Sequence, residues 1–193
     1  ALDWLQSRED KEKPFCLMLH HKAPHRTWMP DLCDLGRFDS IDFPIPENFF
    51  DTYEDRVAAQ QQEMSIFKDM DLVYDLKLAD KENEIHSSYL EKWGRLLYNN
   101  LTEEQKNTWD AHYDPIIAEF KRQNLQNEEL AIWKYRRYMS DYLSVIYSLD
   151  RNIGRVLDYL DESGLAENTL VVYVSDQGFY MGEHGWFDKR FMY

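Results

Sequence analysis

The sequence predicts an α/β fold: part of a mostly parallel sheet flanked by helices, with a helical excursion between its strands. Three observations carry this. Residues 169–174 read "TLVVYV", an apolar run of strand length with the pattern of a strand covered on both faces. Just before it lies the clearest helical periodicity in the chain. Tyr142, Val145, Ile146, Leu149, Ile153, Val156, Leu157 and Leu160 fall on one helix face. Near the other end, residues 15–21 read "FCLMLHH", a second short apolar run. Helix followed by continuous apolar strand is the pattern of a parallel sheet. In such sheets ligands gather outside the carboxyl ends of the strands. Both unusual loops of this chain, "HHKAPHR" and "SDQGFYMGEHG", sit at such ends.

The remaining elements follow in order. Residues 2–11 read as the last turns of a helix, with Leu2 and Leu5 on its apolar face, ended by Pro14. "KAPHRTWMP" contains two prolines and reads as an ordered loop. Gly36, Pro44 and Pro46 make residues 31–47 extended loop. From about residue 49 to 160 the pattern is mainly helical. Thr102-Glu-Glu-Gln105 is a capping-box start. Residues 128–160 fit one long helix or two, and Ser163-Gly164 supplies the stop. The chain divides into a strand with its His/Lys loop (15–48), a mainly helical insertion (49–135), and a helix, strand and second loop (136–193).

Composition narrows the function. The chain has 193 residues, enough for one domain with a real core. With 36 acidic and 22 basic residues its formal charge is −14, which argues against a nucleic-acid partner. Its 6 Trp, 13 Tyr and 10 Phe suit either sugar-ring packing or helical cores. Cys16 and Cys33 are too few for a disulfide framework and form no C-x-x-C motif. No apolar run is long enough to span a bilayer, and residues 1–13 read as charged helix, not as a signal peptide.

The two loops carry the chemistry. Asp176 and Gln177 offer a carboxylate and an amide carbonyl, which suit a hard cation such as calcium or magnesium. A turn in which Asp176 bonds its own backbone is the alternative. His20, His21 and His25 do not make a zinc site: Pro24 interrupts any shared helix face and H-E-x-x-H is absent. His25 is either a general acid or base on a rigid loop, or a histidine bonded to a backbone carbonyl. Lys22, Arg26, Lys189 and Arg190 either hold an oxyanion beside the cation or are surface charge.

Four segments resemble the formylglycine-dependent sulfatases of the alkaline-phosphatase superfamily: "KPFCLMLHHKAPHRTWMP", "YLSVIYSLDRNIGRVLDYLDESGLAENTLVVYVSDQG", "GEHG" and "DKRFMY". The resemblance implies a partial sulfatase catalytic domain with an alkaline-phosphatase-like fold. It implies that Asp176 and Gln177 are ligands of a calcium ion, although many relatives have Asn or His at the second position. Lys189 is implied to bind the sulfate, His25 to protonate the leaving sugar alcohol, Lys22 to lie near the same site, and His184 to contact substrate. The implied reaction is attack of a formylglycine hydrate on sulfur, with later release of sulfate.

The sequence departs from the family at the nucleophile. Formylglycine arises from a Cys in a C-x-P-S-R-like signature. Cys16 is followed by Leu-Met-Leu, and Cys33-Asp-Leu-Gly-Arg37 lacks the proline. The expectation is therefore an internal fragment that does not hydrolyse sulfate esters alone, binds calcium weakly, and self-associates through exposed sheet edges. "KAPHRTWMP" and "DKRFMY" most resemble the branch acting on glucosamine-type sugars of heparan or mucin glycans, which implies a sulfated-glycan substrate. The resemblance also favours a bacterial periplasmic or secreted location, or a lysosomal one in a eukaryote. Two other readings stand beside it. One is a phosphodiesterase or phosphotransferase of the same superfamily. The other is a non-catalytic relative that binds a glycan or a partner.

Overall fold

The second-longest helix of the described residues begins where local chemistry favours a start. The structure, a computed structural model, describes residues 1–79 and 89–191. The helical expectation at 80–88 and the last two residues of "DKRFMY" lie outside them. In chain order the helices are α1 (Leu2–Ser7), α2 (Val57–Gln60), α3 (Tyr89–Asn99), α4 (Glu103–Gln123) and α5 (Asn127–Glu162). The capping box opens α4 as expected. Thr102 Oγ1 accepts from the Gln105 N–H at 3.2 Å, and Gln105 Oε1 accepts from the Thr102 N–H at 2.9 Å. Asn124 ends the helix in the left-handed region at φ 48°. Pro115 lies inside α4, where it costs roughly 3 kcal/mol. The helix continues because Trp109 and Tyr113 are buried along it and Ile116, Ile117 and Phe120 pack on the core.

Residues 128–160 belong to one helix, α5, of 36 residues. Its two halves have different surroundings. The first half buries Ala131, Tyr135 and Tyr138 together with Lys134, Arg137 and Asp141. Asp141 is the centre of a buried ion network: Lys77 Nζ donates at 2.8 Å, Arg137 Nη2 at 2.5 Å and the Tyr113 hydroxyl at 3.3 Å. Small residues let a neighbour approach: the Ser148 hydroxyl donates to Asp34 Oδ2 at 2.7 Å, docking the short 3-10 helix Leu32–Asp34. On the predicted apolar face of the second half, Val145 and Leu160 are buried, but Ile146, Leu149, Ile153 and Val156 are half-buried and Leu157 is exposed.

Between residues 49 and 79 the chain is mainly turns, with α2 its one helix. The helical period read there from sequence reflects irregular segments that bury Phe49, Ile66, Met70, Leu76 and Leu78.

The expected parallel sheet is absent among the described residues. Residues 15–20 and 170–174 form no regular secondary structure, and no backbone hydrogen bond joins them to another described residue. Leu170 is 90 % exposed and Met18 74 %. The sequence signal for burial is real, yet a strand also needs a neighbour to pair with, and no described segment supplies one. The sheet that is present is antiparallel and has two strands, β1 (Tyr180–Met181) and β2 (Phe187–Asp188), paired Tyr180 to Asp188 and Met181 to Phe187.

Candidate active site

Three segments that hold the predicted site residues converge on Trp28. It is fully buried, and its indole N–H donates to the Pro24 carbonyl at 3.1 Å, which shapes the His25 loop. Its ring packs on Tyr138 of α5 with centroids 4.5 Å apart. It meets Phe179 and Phe187 edge-on, each at 6.2 Å. Phe179 follows Gln177 by two positions, and Phe187 precedes Lys189 by two. The Tyr138 hydroxyl also donates to the Tyr180 carbonyl at 2.9 Å, tying α5 to the hairpin.

His25 is exposed on its loop, with its N–H bonded to the Lys22 carbonyl at 2.9 Å. Its Nδ1 lies 2.6 Å from the Arg26 carbonyl oxygen. A carbonyl only accepts, so Nδ1 carries the proton and Nε2 is the position left for chemistry. Of the two alternatives read from sequence, the carbonyl-bonded histidine is the one observed, and it leaves the second ring nitrogen without a bond among the described residues. Lys22 is exposed beside it.

Both arginines pair with carboxylates. Arg26 Nε and Nη2 bond to Asp75 Oδ1 and Oδ2 at 2.5 and 2.6 Å. Burial lowers the Arg26 pKa, but the Asp75 bond and the charges of Asp75 and Asp188 outweigh it and raise the value above that of an ordinary guanidinium. Arg190 Nε pairs with Asp188 Oδ2 at 2.9 Å, and its Nη2 donates to the Glu63 carbonyl at 3.0 Å. Lys189, between them in sequence with Asp188, is half-buried and makes no ion pair among the described residues. The hairpin that carries it is gripped by residues 64–66: Phe187 N–H bonds to the Met64 carbonyl and Ile66 N–H to the Gly185 carbonyl, both at 2.9 Å.

Asp176 and Gln177 follow the apolar run at 170–174, both exposed. The turn there is closed by Ser175, whose hydroxyl donates to the Gln177 carbonyl at 2.6 Å. Neither the Asp176 carboxylate nor the Gln177 side-chain amide is bonded among the described residues. Two hard oxygen donors at one turn fit part of a calcium shell; six to eight ligands complete one.

His184, the residue implied to contact substrate, is held by residues 48–53. Its Nδ1 lies 2.6 Å from Asp51 Oδ2, its N–H donates to Asn48 Oδ1 at 3.2 Å, and the Tyr53 hydroxyl donates to its carbonyl. Asp51 also bonds Arg56. That bond, together with the Tyr53 N–H and His184, outweighs partial desolvation and holds the Asp51 carboxyl well below the usual range. His184 thus ties the hairpin tip to residues 48–53. Gly185 completes the fit: at φ 68°, a Cβ there would meet the Phe49 carbonyl oxygen at 2.5 Å.

Neither cysteine fits a formylglycine precursor. Cys16 is exposed in the apolar run at 15–20. Cys33 lies between Asp31 and Asp34, and Arg151 bonds both carboxylates at 2.7 Å. Sequence reading overlooked Trp28, Asp75, Tyr138 and Asp51. For Trp28 a signal existed, a lone tryptophan inside a proline loop; the others depend on contacts across long sequence separations.

The amino-acid sequence matches one family along nearly the whole chain. The sulfatase family model covers residues 1–190, and the chain belongs to that family. It is 46 % identical over 194 residues to an N-acetylglucosamine-6-O-sulfatase of Bacteroides thetaiotaomicron, covering 100 % of this chain and 34 % of that protein. An iduronate 2-sulfatase of Mus musculus is 39 % identical over 73 residues, 38 % of this chain and 11 % of that protein. The solved structure of BT4656 in complex with its substrate D-glucosamine-2-N,6-O-disulfate superposes with a TM-score of 0.89 at 46 % identity, over 100 % of this chain and 38 % of that one. The chain therefore has the fold of the corresponding part of a sulfatase, and spans about a third of the length of the first of these relatives.

Proposed function

We propose that the whole protein hydrolyses a sulfate ester at the 6-position of a glucosamine-type sugar in a glycan. The observation that carries this reading is the convergence of the His25, Gln177 and Lys189 segments on Trp28. The name of the Bacteroides relative and the disulfated glucosamine bound in the BT4656 structure supply the sugar and the position.

In this reading the Lys189 ammonium faces the sulfate oxygens and offsets the charge that builds on them. Lys22 adds positive charge at the same mouth. His25 gives a proton from Nε2 to the departing sugar oxygen while the Arg26 carbonyl keeps Nδ1 protonated. The acid form is thus the imidazolium. Asp176 and Gln177 would hold calcium through their oxygens, and the ion would supply positive charge beside the sulfate. His184 acts by anchoring the hairpin. The nucleophile comes from outside residues 1–193, since neither cysteine fits.

The two uncovered apolar runs belong, in the same reading, to a mostly parallel sheet completed by other polypeptide of the domain. The favoured location is periplasmic or secreted in a bacterium, or lysosomal in a eukaryote. No helix among the described residues is long and apolar enough to cross a membrane.

The test is regiochemical. The whole protein is incubated with glucosamine carrying sulfate at only the 2-N, 3-O or 6-O position, with calcium and after chelation. Loss of the 6-O sulfate alone, abolished by chelator and restored by calcium, is expected. Desulfation at another position, or cleavage of a phosphodiester in its place, contradicts the reading.

A further inference from the structure

We propose that Arg26, with its buried partner Asp75, is a positioning residue that sets His25 against the segment ending at Lys189. This rests on the reading of His25 as the acid for the leaving alcohol. Arg26 touches both halves of the site. Its backbone carbonyl accepts a hydrogen bond from His25 Nδ1–H at 2.6 Å. Its guanidinium lies 5.0 Å from the Phe187 ring centre and 5.4 Å from that of Tyr74.

The guanidinium is locked in orientation as well as in place. Two of its nitrogens bond to separate oxygens of Asp75, a fork-to-fork pairing that a lysine cannot reproduce. Asp75 is fully buried, and its Oδ2 also accepts from the Asp71 N–H at 2.7 Å. Burial favours the neutral acid at Asp75, but three donors on two oxygens fit the carboxylate. Asp71 is fixed in turn, with Oδ1 accepting from the N–H groups of Val73 and Tyr74 at 2.9 and 2.7 Å. The Arg26 side chain is 11 % exposed, so it is part of the floor and not a ligand for sulfate.

Such a residue acts on proton delivery. A sugar alkoxide leaves poorly and needs the acid; a nitrophenolate does not. A misplaced His25 therefore penalises the sugar ester selectively, whereas loss of sulfate binding or of folded protein penalises both esters alike.

The experiment uses the whole protein and compares Arg26→Lys, Asp75→Asn and His25→Ala on 6-O-sulfated N-acetylglucosamine and on 4-nitrophenyl sulfate. For Arg26→Lys we expect kcat on the sugar ester to fall about 10- to 100-fold, with KM little changed and with less than about threefold loss on the aryl ester. His25→Ala should show the same selectivity more strongly. Asp75→Asn keeps the side-chain shape and gives the same readout if the lysine variant does not fold. Equal losses on both esters in the Arg26 and Asp75 variants, beside a selective loss in His25→Ala, overturn the positioning role alone. A non-selective loss in His25→Ala overturns the acid role of His25 and the inference with it.

Discussion

Asp51 shows how one side chain can carry both structure and pH sensitivity. It bonds Arg56, the Tyr53 N–H and His184, and its carboxyl is held below the usual range. A depressed folded-state pKa means that the unfolded chain binds the proton more readily. The stabilisation is then fully present above about pH 4 and is lost as pH falls below it. Denaturant midpoints at pH 6 and pH 3 should therefore differ less in Asp51→Asn than in the parent. An unchanged difference means that Asp51 does not contribute to acid sensitivity. Chemistry-bearing types at loop positions were legible in the sequence at this scale: Asp176, Gln177, His25 and Lys189. The commitment of Arg26 to Asp75 was not, because the pair is 49 residues apart in sequence and nothing local marks it.

Among the elements, α5 is the frame on which the site is hung. Its first half presents Tyr138 to Trp28 and to the hairpin, and Asp141 to Lys77, Arg137 and Tyr113. Asp141→Ala leaves two buried cations without their shared carboxylate, and should cost about 3–5 kcal/mol in urea unfolding. A loss under 1 kcal/mol would show that the network relaxes freely. The helix itself was legible because a 3.6-residue period needs no tertiary partner to be seen. The capping box at Thr102 was legible for the same reason. The irregular stretch at 49–79 was misread as helical because its buried residues serve turns instead of one face.

For the whole molecule, the uncovered apolar runs are the dominant feature. Leu170, Val171, Val172, Tyr173 and Val174 are 54 to 90 % exposed, next to a helix whose second half is poorly covered. Burial pattern is readable from sequence, but the pairing partner of a strand is not. Residues 1–193 in isolation should self-associate through these edges. Sedimentation should show concentration-dependent assembly that Val172→Lys reduces; a monomer at all concentrations contradicts this. The same isolated chain should not turn over an aryl sulfate. The account as a whole stands most directly on Lys189, a half-buried cation that makes no ion pair among the described residues. Sulfate release from 6-O-sulfated N-acetylglucosamine should fall about 100-fold or more in the whole protein carrying Lys189→Ala. Release within a few-fold of the parent enzyme would contradict the site described here.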